Sequence, residues 1–158
     1  MSAVKECLEK QQDLYQILTE QSFAGIYVVQ EGKFLYLNKN AASYADYTPD
    51  ELTGRLADSI VHPEDRETVR KNAREMIQGQ RSTPSEFRIL TKDGRLRWIM
   101  EMIAPITWEG RPALLGNSMD ITEKKQVEEV LLDREERYRS LFECAADAIF
   151  IYLSKPLT

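Results

Sequence analysis

The sequence predicts an α+β domain built on an antiparallel sheet. Three observations carry this. Two apolar runs near the start, GIYVVQ and KFLYLN, meet through Glu31-Gly32. Three more, SEFRIL, LRWIMEMIAPITW and PALLGNSM, are separated by turns carrying Asp93-Gly94 and Glu109-Gly110. Only short helical patterns lie between the two groups. Strands gathered in runs, with helices grouped apart from them, mark an antiparallel sheet covered by helices rather than alternating β-α units.

Taken in order, residues 1–22 read as an amphipathic helix. Val4, Leu8, Gln11, Tyr15 and Leu18 follow one another at alternating steps of four and three, a heptad seam with one polar position. The first two strands follow, with a Glu-Gly hairpin signal between them. KNAASYADY is short and Ala-rich, enough for one or two helical turns. In TPDELTG, Thr48 is a helix N-cap, Pro49 suits the first helical position, Glu51 stands at the capping-box position and Gly54 ends the turn. HPEDRETVRKNAREMIQG is the longest helix of the body, opened by Pro63 and closed by Gly79, with Val69, Ala73 and Met76 on one face.

The three later strands form a meander. In the middle one, Trp98, Met100 and Met102 alternate with Ile99, Glu101 and Ile103, so both faces are largely apolar. A strand with one face in water alternates apolar and polar. The sheet is therefore expected to be covered on both sides, the outer one by the N-terminal helix, a second subunit or both. The last strand then runs into the charged segment SMDITEKKQVEE without a loop. Asp120 is expected to cap the exit helix, with Glu123 as the reciprocal capping-box acid.

The chain also repeats itself. Shifted by 123 positions, Val4 falls on Val127, Leu8 on Leu131, Tyr15 on Tyr138 and Leu18 on Leu141. Both copies pass from a heptad seam into an apolar run. These eight residues are the expected dimer seam. The expected organisation is an N-terminal helix at 1–22, the α+β domain at 23–122, a linker helix at 123–142 and the start of a second repeat at 143–158, whose AIFIYL is read as a strand. On this reading the chain is a piece of a longer tandem array.

Composition narrows the function. A net charge of −5 with scattered basic residues lacks the basic footprint that nucleic acid requires. No run approaches the ~20 apolar residues of a membrane span, so no membrane contact is expected and the location is read as cytoplasmic. The two cysteines, Cys7 and Cys144, offer neither a disulfide framework nor metal-ligand spacing. No nucleophile–base pair, phosphate loop or metal cluster is present, so the chain is not expected to be an enzyme.

Five motifs now stand in a recognisable order: YLNKNA from Tyr36, TPDELTG from Thr48, HPEDR from His62, KDGRLRW from Lys92 and DITEKK from Asp120. Over about residues 14–123 the chain resembles a PAS domain, the sensory module of many bacterial signalling proteins, and its C-terminal part resembles the opening of another. The resemblance implies a five-stranded antiparallel sheet of order 2-1-5-4-3, with short helices on its inner face and amphipathic helices flanking it. It also implies that cofactors are to be weighed. The flavin-binding branch carries Asn-Cys-Arg after its GR, whereas this chain has GRLADSIVHPED without cysteine, and Ile99 stands where that branch has Asn. The haem branch places an axial His in the long helix, but the single histidine, His62, stands at the helix mouth and is read as a cap before Pro63. Flavin and haem are both disfavoured, and the cofactor is left unknown.

By the same analogy Phe87, Ile89, Ile99, Glu101, Ile103, Leu114 and Ser118 face an inner pocket, and Met76 approaches it from the helix. A carboxylate on an inner face is costly unless paired, protonated or hydrated. Glu101 therefore either meets a cationic or hydrogen-bonding ligand, or pairs with an arginine, or lies one residue out of phase. Arg97, Asp120, Thr122 and Glu123 form the expected relay from pocket to exit helix. Two functions stay open: a ligand-binding sensory relay, and a ligand-free dimerisation module that spaces other domains. A homodimer is expected under both.

Overall fold

The computed structural model describes residues 2–153, with side chains from 4 to 150. The elements are α1 (Ser2–Glu20), β1 (Gly25–Gln30), β2 (Lys33–Leu37), α2 (Lys39–Ser43), α3 (Pro49–Leu52), α4 (Arg66–Ile77), β3 (Ser85–Leu90), β4 (Leu96–Trp108), β5 (Arg111–Asp120) and α5 (Thr122–Leu153). Single 3-10 turns at Ala57–Ser59 and Pro63–Asp65 precede α4. Residues up to Ile121 form one compact unit and α5 belongs to a second.

The sheet has the order β2-β1-β5-β4-β3, as the resemblance implied, and every pair is antiparallel. Its hairpins follow from turn chemistry. Glu31 and Gly32 between β1 and β2 both take positive φ, 53° and 77°. That is the backbone twist a two-residue hairpin needs. The short helices are capped as expected. Thr48 Oγ1 accepts from the Glu51 amide at 3.4 Å while the Thr48 amide donates to Glu51 Oε2 at 2.9 Å. His62 is a cap as well, its Nδ1 accepting from the Glu64 amide at 3.3 Å. The start of α4 is held to β3 because Arg88 reaches Asp65 with Nε at 2.9 Å, Nη2 at 2.6 Å and its backbone amide at 2.8 Å.

Period-two alternation sorts the sheet into two faces. Inward point Tyr27 and Val29 of β1, Phe87 and Ile89 of β3, Ile99, Glu101 and Ile103 of β4, and Leu114 and Ser118 of β5. The helices between β2 and β3 cover them. The buried apolar residues form two clusters, one around Val29, Phe34, Leu37 and Leu52, the other around Val61, Phe87, Ile89 and Ile99.

Within one chain the outer face is only partly covered. Trp98 and Met100 are only half-buried, and Met102 and Met119 are exposed. Helix α1 does not cover them within the chain: Val4, Leu8, Tyr15 and Leu18 are each more than half exposed. Its last turn is held to the domain, where the Tyr36 hydroxyl donates to Thr19 Oγ1 at 2.9 Å and Asn38 Nδ2 donates to the Thr19 carbonyl at 2.8 Å.

Asn38 is 1% exposed, and every polar position of its amide is used. Its Oδ1 accepts from the amides of Ile26 at 3.0 Å and Ala41 at 2.9 Å. Its Nδ2 donates to the carbonyls of Thr19 at 2.8 Å and Ala24 at 3.0 Å. One side chain thus closes α1, starts β1 and caps α2.

Two boundaries near the C-terminus are corrected. The strand expected in AIFIYL is helical as far as Leu153, where α5 ends, and residues 154–158 lie outside the described ones. A lone strand has no ladder to satisfy its backbone groups, whereas a helix satisfies them from its own residues. The exit also starts later than the expected capping box allows. Ile121 is buried and its amide donates to the Trp98 carbonyl at 2.9 Å. The sheet thus holds the chain through Ile121. With α5 starting at Thr122, Ile121 takes the position before the helix and Glu123 is its second residue. Along α5, Val127, Leu131, Tyr138 and Leu141 are exposed, and local pairs such as Arg137–Asp133 at 3.2 Å support the helix.

Candidate functional site

Between the inner face of the sheet and the helices lies a cavity of about 280 Å³, just below the ~300–1,000 Å³ of typical ligand sites. Phe87, Ile89, Ile99, Glu101, Ile103, Leu114 and Ser118 all line it. Met76 does not. It is buried on the sheet-facing side of α4, but Val69 and Arg70 supply the helix wall. Met76 is seven residues beyond Val69, and two helical turns carry it ~10 Å along the axis. Helix α4 thus buries Met76 but places it along the axis beyond the cavity.

The cavity also has walls the sequence reading did not name. Tyr27 and Val29 enter from β1, Phe34 and Leu37 from β2, and Tyr44 from the end of α2. The signal for the first pair was present: in GIYVVQ, Tyr27 and Val29 share one face by alternation.

Glu101 is the one carboxyl deep in this wall, 6% exposed. Its partner is not an arginine. The Tyr27 hydroxyl donates to Glu101 Oε2. The bond crosses two strand spacings, because β5 lies between β1 and β4. It is possible because Tyr27 stands opposite Gly116 of β5. A Cβ at Gly116 would lie far closer to Tyr27 Cζ than van der Waals contact allows. The tyrosine lies where a side chain is missing. Burial pushes the Glu101 carboxyl up to about 7, against the smaller lowering effect of the Tyr27 hydrogen bond. Burial also raises the Tyr27 hydroxyl well above its ordinary value, and Glu101 raises it further. Ser118 sits beside Glu101 in the β4–β5 register and donates to the Gly25 carbonyl at 3.1 Å.

Gly116 therefore makes a sharp prediction. Gly116→Ala is expected to cost ~1–3 kcal/mol through overpacking, measured by urea unfolding. Removing the ring with Tyr27→Ala relieves the clash, so the double variant should lose less than the sum of the two single changes. Additive losses would mean that ring and glycine are independent.

At the edge of the cavity Arg97, inward on β4, gathers several groups. Its guanidinium donates to Asp46 at 2.8 Å and to the carbonyls of Ser43 and Tyr44, each at 3.1 Å. Asp120 Oδ2 lies 3.8 Å from its Nη1. Arg97 thus joins the end of α2, whose Tyr44 lines the cavity, to the last residue of β5. Thr122 and Glu123 lie in the first turn of α5.

The remaining titratable side chains lining the cavity besides Tyr27, Tyr44 and Glu101 are Asp58 and Arg70, which pair with each other at its exposed side. Among the described residues no group of three or more His, Cys, Asp or Glu is placed to hold a metal, and no helix is long and apolar enough to cross a membrane.

Comparison with known proteins agrees with this architecture. Over 134 residues the chain is 30% identical to sporulation kinase A of Bacillus subtilis, covering 81% of this chain and 22% of that protein. It is 36% identical over 91 residues to a probable diguanylate cyclase of Escherichia coli, covering 56% of this chain and 8% of that one. The chain thus spans about a fifth or less of these curated relatives. The crystal structure of the PAS domain of a protein from Colwellia psychrerythraea superposes with a TM-score of 0.63 at 26% identity, covering 73% of this chain and 98% of that one. The family model described as PAS fold matches residues 34–117, more than half of the chain, and with this fold and these relatives the chain belongs to the PAS family.

Proposed function

We propose that this chain is the sensory module of a longer, cytoplasmic signalling protein, in which a small ligand in the inner cavity changes the output carried by α5. The observation that supports this most is the cavity itself: about 280 Å³, mostly apolar, with one buried carboxyl in its wall. Few precisely placed polar groups in an apolar pocket are the usual recognition pattern for small molecules. The module performs no catalysis of its own. A histidine kinase or a cyclic-dinucleotide enzyme is the expected output, as the family resemblance implies and as relatives named sporulation kinase, diguanylate cyclase and blue-light-activated histidine kinase support.

The relay runs from Tyr44 through Arg97 to Asp120 and across Ile121 into α5. In this reading Asp120, the last residue of its strand, acts through Arg97. A ligand that draws Tyr44 inward alters what Arg97 holds. It shifts the output only by its difference in affinity for the two states, and ~1–3 kcal/mol of coupling is a useful switch.

A second reading is supported by different residues. The seams on α1 and α5 are exposed, and Trp98, Met100, Met102 and Met119 form an apolar outer face. These suit a homodimer, and a module that only dimerises would need no ligand. One experiment separates the two. The purified chain is screened by thermal shift and native mass spectrometry against a broad metabolite set, with sedimentation in parallel. A bound small molecule, or a reproducible rise in melting temperature, is expected. A dimer without any ligand response would favour the interaction module, and a monomer at high micromolar concentration would remove the dimer from both.

A further inference from the structure

We propose that the cavity selects a small primary amine with an apolar body, its ammonium group seated against Glu101. This deepens the reading of the cavity as a ligand site and rests on it.

The argument begins with what Glu101 lacks. Oε2 accepts from Tyr27, and the other oxygen has no hydrogen-bond or ion-pair partner among the described residues. Cations are near but committed elsewhere. Arg97 shares the inner face of β4, yet its guanidinium is held by Asp46 and the carbonyls of Ser43 and Tyr44. Arg70 lines the cavity but is paired with Asp58 and largely exposed. The groups facing Glu101's cavity are thus Tyr27 from β1, Tyr44 beside α2, Asp58 from a 3-10 turn and Arg70 from α4. The Asp58 and Arg70 charges offset each other and leave one carboxyl at depth without a counter-charge.

That arrangement ranks ligand chemistries. A carboxylate or phosphate would be buried beside a like charge with no arginine or lysine to receive it. An alcohol finds an acceptor but no charge. An ammonium supplies N–H donors to the open oxygen and a positive charge in a low-dielectric site, where such a pair is strongest when hydrogen-bonded. The remaining wall, with Val29, Phe87, Ile89, Ile99 and Leu114, suits a short hydrocarbon body. The buried carboxyl, pushed up to about 7, adds a pH signature: ammonium binding should pull the proton off.

Calorimetric titration of the full chain with hexylamine, hexanol and hexanoate tests this. Hexylamine is expected to bind at least about tenfold tighter than hexanol, and hexanoate more weakly than either. Between pH 6 and pH 8 the ionised fraction of Glu101 rises from about a tenth to about nine tenths, so amine affinity should rise about tenfold, while the amine itself stays protonated. Glu101→Gln keeps an acceptor for Tyr27 and should erase both the amine preference and its pH dependence. Equal binding of hexanol and hexylamine, or an amine preference that survives Glu101→Gln, overturns the amine inference and leaves the ligand site standing. If none of the three binds, the amine inference falls, and the ligand reading is decided by the broad metabolite screen.

Discussion

Asn38→Ala is expected to cost the domain about 4 kcal/mol in urea unfolding. The substitution strands four backbone groups together, the Ala41 amide fully buried and the Ile26 amide and the Thr19 and Ala24 carbonyls part-buried. Each buried polar group left without a partner costs ~1–3 kcal/mol, and relaxation recovers part of it. Loss of an Asn cap alone would cost only ~1 kcal/mol, so the excess measures the hub rather than the cap. Hydrogen exchange should show faster exchange at Ile26 and Ala41 and fraying of the last turn of α1. Asn38→Asp gives a second readout. It keeps the acceptor and loses both donors, placing a carboxylate against two carbonyl oxygens. Its pKa must rise, so its stability deficit should shrink as pH falls through that raised value. A loss below 1 kcal/mol for the alanine variant would show that α1 and α2 are held by something else.

Glu101→Gln is expected to stabilise the protein, and only at higher pH. The folded carboxyl titrates near 7 against an ordinary 4.5. Between these values the folded chain holds a proton that the unfolded chain has released, so stability falls as pH rises across the window. The contribution of the neutral carboxyl is fully present below about pH 4.5 and is lost as pH passes through about 7. Glutamine cannot ionise and keeps an acceptor for Tyr27. At pH 8 the variant should gain ~3 kcal/mol, a rise of roughly 10 °C in melting temperature. At pH 4 it should match the parent. A gain of the same size at both pH values would assign the effect to packing. A loss at pH 8 would mean that the ionised form is already stabilised in the empty domain.

Both variants bear on how much was legible beforehand. The seven cavity-wall residues of β3, β4 and β5 follow from period-two alternation together with the family resemblance, because a strand's faces are set by counting. Met76 shows the limit for helices: the hydrophobic stripe defines a direction around the axis, and the position along the sheet depends on docking. Glu101 was correctly placed inward, yet its partner was missed, since Tyr27 lies on a strand two places away and reaches it over a glycine. Asn38 stood in a quoted motif, YLNKNA, but its four partners converge from Thr19 to Ala41 only once the chain has folded. The C-terminal apolar run illustrates the opposite case. AIFIYL carries strand composition, and without strand partners among the described residues its backbone is satisfied by helix.

The bare position at Gly116 also polices strand alignment. If β5 slipped by one residue against β1, every side chain would change face. If it slipped by two, the faces would be kept, but Leu114 or Ser118 would come under Tyr27 in place of Gly116. Neither leaves room for the ring. Only one alignment of these strands has a notch that accepts the tyrosine, so an absent side chain acts as the key that tells the correct sheet from its nearest misfolded neighbours.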